Sequence, residues 1–256
     1  MFYILLFCSF LVAPVSSENC GLPPSLWCSS REVARKCDVE TQCEPFLSSA
    51  KKEGPLVNFT LYLESLCPDC QYFILTQLYP TFKSIGSIMN LELVPYGNAK
   101  EQQVGDKWQF TCQHGIEECY GNLIETCAIH YHQNISVYLP FIHCIELDVS
   151  KKLTPRQSAP ACAEKLGLDY SQIKSCADGP LGNSLEHKMG LKTRALQPPQ
   201  TYVPWLTLNG VHNKQIQYAA QHELEELICR TYQGSPKPAA CSYKLGLKNR
   251  LINILN

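Results

Sequence analysis

Past the apolar stretch Phe2–Val15, the chain has no run of about 18 apolar residues, so no later segment is long enough to cross a bilayer as a helix. Charge of one sign is lacking too. Lys and Arg number 22 against 23 Asp and Glu, a net charge of −1. That balance offers no footprint for nucleic acid or an anionic membrane surface. The N-terminal stretch lacks the Lys or Arg usual in a secretory leader. Only one CxxC is present, so a four-thiolate zinc site of the paired-CxxC kind is not supplied. Residues 96–200 carry no strong strand pattern.

Cysteine, by contrast, is abundant, with 15 in 256 residues. The apolar stretch and the small residues Ser16-Ser17 predict a signal peptide over residues 1–17. It is too short for a comfortable membrane span. Cys8 falls inside it, and the even number of cysteines that remains suits an oxidising compartment. Asn58-Phe59-Thr60 and Asn134-Ile135-Ser136 are acceptor sequons for N-glycosylation. Asn58 lies in a predicted strand, so a glycan there requires its side chain to face solvent. Together these features predict a secretory route.

Residues 18–50 form a separate cysteine-dense segment holding Cys20, Cys28, Cys37 and Cys43. A piece this small buries little core, so disulfides must hold it. The pattern Cys20-Gly21-Leu22-Pro23-Pro24-Ser25-Leu26-Trp27-Cys28, with Ala34, Cys37 and Cys43, resembles a saposin A-type domain. A generic disulfide-stapled pro-segment is the plainer alternative. Lys51-Lys52-Glu53-Gly54-Pro55 reads as a linker.

The residues with most to say are Cys67-Pro68-Asp69-Cys70. Leu56–Leu63 before them is β-branched, aromatic and aliphatic, a buried strand. Gln71–Tyr79 after them reads as a helix, with Pro68 tolerated in its first turn. Two thiols at a helix start can close a short disulfide, and the positive end of the helix favours thiolate on the first. Cys67 is therefore the expected nucleophile and Cys70 the resolving thiol of a dithiol–disulfide oxidoreductase. Structural half-cystines and half a zinc site are the rival readings.

Met89–Pro95 alternates and predicts a second strand, parallel to the first across a βαβ crossover. Apolar patches at Cys119–Ile129 and Ala161–Leu166 predict short helices in an insertion over about 96–200. Tyr202–Val211 predicts another strand, with Asn209-Gly210 as a hairpin turn. Pro204 at its mouth excludes a central strand position there. A last helix is expected from about Gln217 to Tyr232, ended near Gly234. This order is that of an α/β chain, a thioredoxin-like fold over 55–235 with an inserted disulfide-rich helical subdomain, followed by a tail over 236–256. In such a fold a cis proline lies against the CxxC, and Val203-Pro204 is the candidate for that substrate-facing loop. Cys229 and Cys241 enclose Gly234, Pro236 and Pro238 and are the expected structural pair.

The run Cys112-Gln113-His114-Gly115-Ile116-Glu117-Glu118-Cys119-Tyr120-Gly121-Asn122-Leu123-Ile124-Glu125-Thr126-Cys127 is the second dense motif. Zinc through Cys112, His114, Cys119 and Cys127 is one reading. Disulfides pinning the insertion are favoured by the oxidising compartment. His114 and Glu118 would share a helix face in a local polar contact if Gly115 does not break the helix.

This run resembles the signature of the gamma-interferon-inducible lysosomal thiol reductase family and fills it without departure. Pro55–Asn58, Leu93–Ala99, Ala195–Pro199 and Tyr202–Trp205 resemble the same family. The resemblance implies reduction of protein disulfides in acidic endocytic compartments, aiding antigen unfolding and processing. It implies catalytic roles for Cys67 and Cys70, no bound cofactor or metal, and an external small thiol such as cysteine as reductant. It implies disulfide-bonded protein substrates, and location in lysosomes or endosomes with secretion as a further destination. Acid makes the chemistry demanding. A thiol of ordinary pKa is thiolate only about one part in 3,000 near pH 5. Composition and the CxxC alone fit a secretory-pathway oxidase or isomerase equally well. A non-enzymatic, disulfide-rich lipid-binding protein is the other alternative.

Overall fold

The structure is a computed structural model that describes Trp27 and residues 31–48 and 54–242. The expected signal peptide, the linker at 51–53 and the end of the tail lie outside the described residues. The chain divides into two compact units, Met1–Glu53 and Gly54–Asn256. In the first unit, α1 (Arg31–Lys36) and α2 (Glu40–Ser48) bury Ala34, Cys37 and Cys43. Cys37 and Cys43 are disulfide-bonded. Much of the expected saposin-like pattern, including Cys20 and Cys28, falls outside the described residues.

The second unit is built on a sheet of three strands. Strand β1 (Val57–Leu63) pairs in parallel with β2 (Met89–Pro95) and antiparallel with β5 (Trp205–Leu208). Alternation in β1 buries Val57, Phe59, Leu61 and Leu63. The crossover between β1 and β2 is α3 (Pro68–Phe73), a π turn over Ile74–Leu78, α4 (Tyr79–Ile85) and a final 3-10 turn. Pro80 has no N–H to return to Thr76, which fits the wider Tyr79 N–H to Ile74 O bond that closes the π turn. Helix α10 (Lys214–Thr231) covers the sheet through Ala220, Leu224 and Ile228, all wholly buried in the core that includes Cys67 and Cys70.

The strand expected over Tyr202–Val211 is shorter in the structure. Asn209 and Gly210 do make the tight turn, with φ of 50° and 77°. The return strand is a single bridge between Leu208 and Val211. The chain leaves at once because Asn213 caps α10, its side chain accepting the Ile216 N–H. The insertion also differs from expectation. It opens with an antiparallel hairpin, β3 (Lys100–Val104) and β4 (Lys107–Thr111). The hairpin escaped the sequence reading because β3 is polar up to Val104 and both strands are mostly exposed, leaving only Trp108 and Phe110 to alternate in β4.

Five helices complete the insertion: α5 (Ile116–Tyr131), α6 (Ile135–Val149), α7 (Pro155–Leu166), α8 (Tyr170–Ala177) and α9 (Pro180–Arg194). They enclose a second apolar core around Ile124, Phe141, Ile145 and Ile173. Cys127–Cys176 ties α5 to α8, and Cys144–Cys162 ties α6 to α7. Cys229–Cys241 closes the end of α10 on the following chain. Cys241 is wholly buried in the main core. The main unit's packing thus runs past residue 235, where the tail was expected to begin.

Candidate active site

Strand β1 ends at Leu63 and α3 starts at Pro68, so a four-residue loop carries Cys67 to the helix N-cap. Cys67 adopts an extended conformation there, and its Sγ accepts the Cys70 N–H at 3.3 Å. Cys67 and Cys70 are the free thiols among the described residues. Cys67 retains 6% exposure, whereas Cys70 has none.

That difference separates their chemistry. The hydrogen bond from the Cys70 thiol holds Cys67 below the ordinary thiol range, and the N–H groups of Cys70 and Asp69 add to it. Burial and the Glu64 carboxyl oppose them. Burial pushes Cys70 well above the thiol range, and the neighbouring Cys67 pushes it further. Cys67 is thus the more acidic of the two sulfurs and Cys70 the less acidic.

The 112–127 motif grips the loop that carries Cys67. Ser65 N–H donates to Asn122 Oδ1 and Ser65 Oγ to Glu118 O, both at 3.0 Å. Gly121 lies so close to the Ser65 side chain and Pro155 that a Cβ would overlap both. Gly115, at φ 90°, is the N-cap that starts α5 at Ile116. His114 therefore precedes the helix and does not share a face with Glu118 as a helical neighbour. The contact forms from the loop instead. Glu118 accepts the His114 N–H at 2.9 Å through Oε1 and meets its Nδ1 at 2.5 Å through Oε2. Cys112–Cys119 locks this turn. With Cys112, Cys119 and Cys127 all in disulfides, the zinc reading of the motif is excluded.

Three residues missed by the sequence reading stand here. Glu64 is wholly buried, takes the Asn98 N–H at 2.5 Å, and lies 3.6 Å from His114 Nδ1. Burial, opposed in part by the Asn98 N–H, pushes its carboxyl up to about 7. Burial lowers His114, but the hydrogen bond and charge of Glu118, with Glu64 and Cys67, outweigh it and raise the imidazole. Behind them Glu125 and Glu146 are wholly buried. Burial and Glu125 push Glu146 well above the carboxyl range, and Glu146 acts electrostatically on both sulfurs. Only burial marks these glutamates, and nothing in their spacing announces it.

The other candidate positions are dispersed. The Val203–Pro204 peptide is cis, and Pro204 O accepts from Gln217 Nε2 at 2.9 Å. Val203 packs against the core cluster that contains Cys67 and Cys70. Asn58 and Asn134 are both exposed, Asn58 at the far end of β1 and Asn134 as the N-cap of α6. Asp69 and Tyr72 open onto a cleft of about 370 Å³ shared with Gln77 and His222.

A parallel β1–β2 pair that crosses over through a helix begun by an activated thiol, completed by an antiparallel strand entered through a cis proline, makes this a thiol–disulfide oxidoreductase of thioredoxin-like fold. The family described as Gamma interferon inducible lysosomal thiol reductase (GILT) matches residues 58–166, which include the CxxC and the 112–127 motif. The gamma-interferon-inducible lysosomal thiol reductase of Carassius auratus is 43% identical over 91% of this chain and 88% of its own. That of Mus musculus is 39% identical over 74% of this chain and 73% of its own. A gamma-interferon-responsive lysosomal thiol protein of Arabidopsis thaliana is 36% identical over 75% and 78%. The chain belongs to the gamma-interferon-inducible lysosomal thiol reductase family.

Proposed function

We propose that this enzyme reduces disulfide bonds of protein substrates at acidic pH in endosomes and lysosomes, and so aids the unfolding and processing of antigens. The observation that carries the reading is the unequal pair of sulfurs, one lowered at a helix N-cap and one wholly buried and raised. Cys67 thiolate attacks one sulfur of a substrate disulfide. That S–S bond breaks, and the second substrate sulfur leaves as thiolate and takes a proton. Cys70 then loses its proton and attacks Cys67 Sγ. A Cys67–Cys70 disulfide forms and the first substrate sulfur departs as a thiol. Two electrons have passed to the substrate, and an external small thiol such as cysteine restores the dithiol. No bound cofactor or metal takes part.

Several observations support the setting. Four disulfides join described residues, as an oxidising secretory route would supply. No helix among the described residues is long and apolar enough to cross a membrane. Asn58 and Asn134 face solvent and can carry glycans. The cis-proline loop of Val203 and Pro204 receives the extended substrate backbone, with the cleft at Asp69 and Tyr72 accepting its side chains. The test is a pH profile of protein-disulfide reduction from about pH 4 to 8 with the purified mature protein. Activity retained near pH 5 and abolished by Cys67→Ser supports the proposal. Activity confined to neutral pH, or net oxidation of substrate thiols, returns the chain to the oxidase or isomerase reading.

A further inference from the structure

Glu64, His114 and Glu118 meet beside the redox pair, yet the reaction above uses none of them. His114 Nδ1 lies between Glu118 Oε2 at 2.5 Å and Glu64 Oε2 at 3.6 Å. Both glutamate side chains are wholly buried, whereas that of His114 is 35% exposed. Glu64 Oε1 takes the Asn98 N–H, whereas Oε2, the oxygen turned to His114, has no hydrogen-bond partner. The cluster is mechanically joined to the sulfur, because Cys67 N–H donates to Glu64 O at 3.2 Å.

We propose that Glu64, His114 and Glu118 are positioning residues for Cys67, a cluster that grows less negative as pH falls and so preserves the thiolate where an isolated thiol would lose it. The inference rests on Cys67 being the attacking sulfur. Above about pH 7 Glu64 is ionised, and any deprotonation of His114 removes the one positive charge of the cluster. Negative charge then faces the sulfur and opposes thiolate formation, as the action of Glu64 on Cys67 requires. Below neutral pH, Glu64 holds a proton because burial pushes it up to about 7. His114, raised chiefly by Glu118 against the effect of burial, carries more positive charge as pH falls. That charge offsets the Glu118 carboxylate, and the field at Cys67 moves toward neutral. Both proton uptakes favour the thiolate. Its fraction should therefore fall less than tenfold per pH unit across the range where the cluster titrates.

The groups that face His114 are Glu118 on α5, Glu64 in the loop after β1 and Cys67 at the start of α3. Asn98 and Gln113, bonded to each other beside them, are neutral. Glu117 turns away to Arg156. Glu146 on α6 also acts on Cys67 and Glu118, and as a carboxyl it too loses negative charge as pH falls, so it works in the same direction.

The experiment is the rate of Cys67 alkylation by iodoacetamide in the reduced full-length protein, followed from about pH 4.5 to 8 beside disulfide reduction. The comparison is wild type with His114→Gln and Glu64→Gln. His114→Gln should lose roughly tenfold in rate at pH 5 and much less at pH 8. Glu64→Gln keeps the oxygen that accepts the Asn98 N–H. It should gain several-fold at pH 8 and match wild type at pH 5. An equal loss at every pH in His114→Gln would mean a structural role and overturn the proposal. If His114→Gln does not fold, Glu64→Gln decides alone, and no gain at pH 8 overturns it. Full activity in Cys67→Ser is a different failure, that of the nucleophile assignment itself.

Discussion

The N–H of Ser65 donates to Asn122 Oδ1 at 3.0 Å, so a side chain in the middle of α5 holds the backbone two residues before Cys67. Asn122 is wholly buried. Asn122→Leu should leave the Ser65 N–H unpaired and cost about 1–3 kcal/mol. Urea unfolding midpoints check the stability. Reduction per folded molecule should fall as well, because the loop that aims Cys67 loses an anchor.

Gly121 tests the same contact with the sign reversed. In an unhindered helix interior, Gly→Ala gains about 0.5–1 kcal/mol. Here the added Cβ meets the Ser65 side chain and the Pro155 ring. Gly121→Ala should therefore destabilise the protein. A raised melting temperature would show that α5 and the loop can separate at no cost.

Stability should increase toward acid. Burial pushes Glu125 from 4.5 to about 7, and Glu146 beside it is raised well above 4.5. The folded state then binds more protons than the unfolded chain between those values. This contribution is complete below about pH 4.5 and is lost as pH rises through about 7. Glu125→Gln should stabilise the protein on the order of 3 kcal/mol at pH 8 and change little at pH 4.5. Denaturant midpoints at the two pH values measure it. A larger gain at the acid end would reverse the sign of the argument.

The unequal sulfurs also predict a trap. Cys70→Ser should leave Cys67 joined to substrate as a mixed disulfide, because the resolving step is gone. Cys67→Ser should leave only the buried, raised thiol and trap nothing. Non-reducing electrophoresis with a disulfide-bonded substrate reads both, with added thiol dissolving the adduct. Stable trapping by Cys67→Ser would exchange the two roles.

Local chemistry decided a good deal of this protein. Pro68 at a helix start, the alternation in Val57–Leu63 and Met89–Pro95, and the turn pair Asn209-Gly210 are each satisfied within a few residues. Their signals therefore survive in one dimension, as does the spacing of Cys229 and Cys241 around a turn. The mostly exposed hairpin β3–β4 left too short an apolar trace, Trp108 and Phe110 alone in β4, and the return strand after Gly210 was cut short by the cap at Asn213.

The environment of Cys67 was decided by tertiary structure alone. Glu64 is three residues away in the chain, but its burial comes from the Asn98 loop and α5. His114 and Glu118 are legible as a polar pair, yet their nearness to the sulfur depends on α5 docking through Ser65 and Asn122. Glu125 and Glu146 lie on different helices and become partners only when α5 and α6 pack. Desolvation and charge act through space, so the residues that tune a thiol need no regular spacing from it.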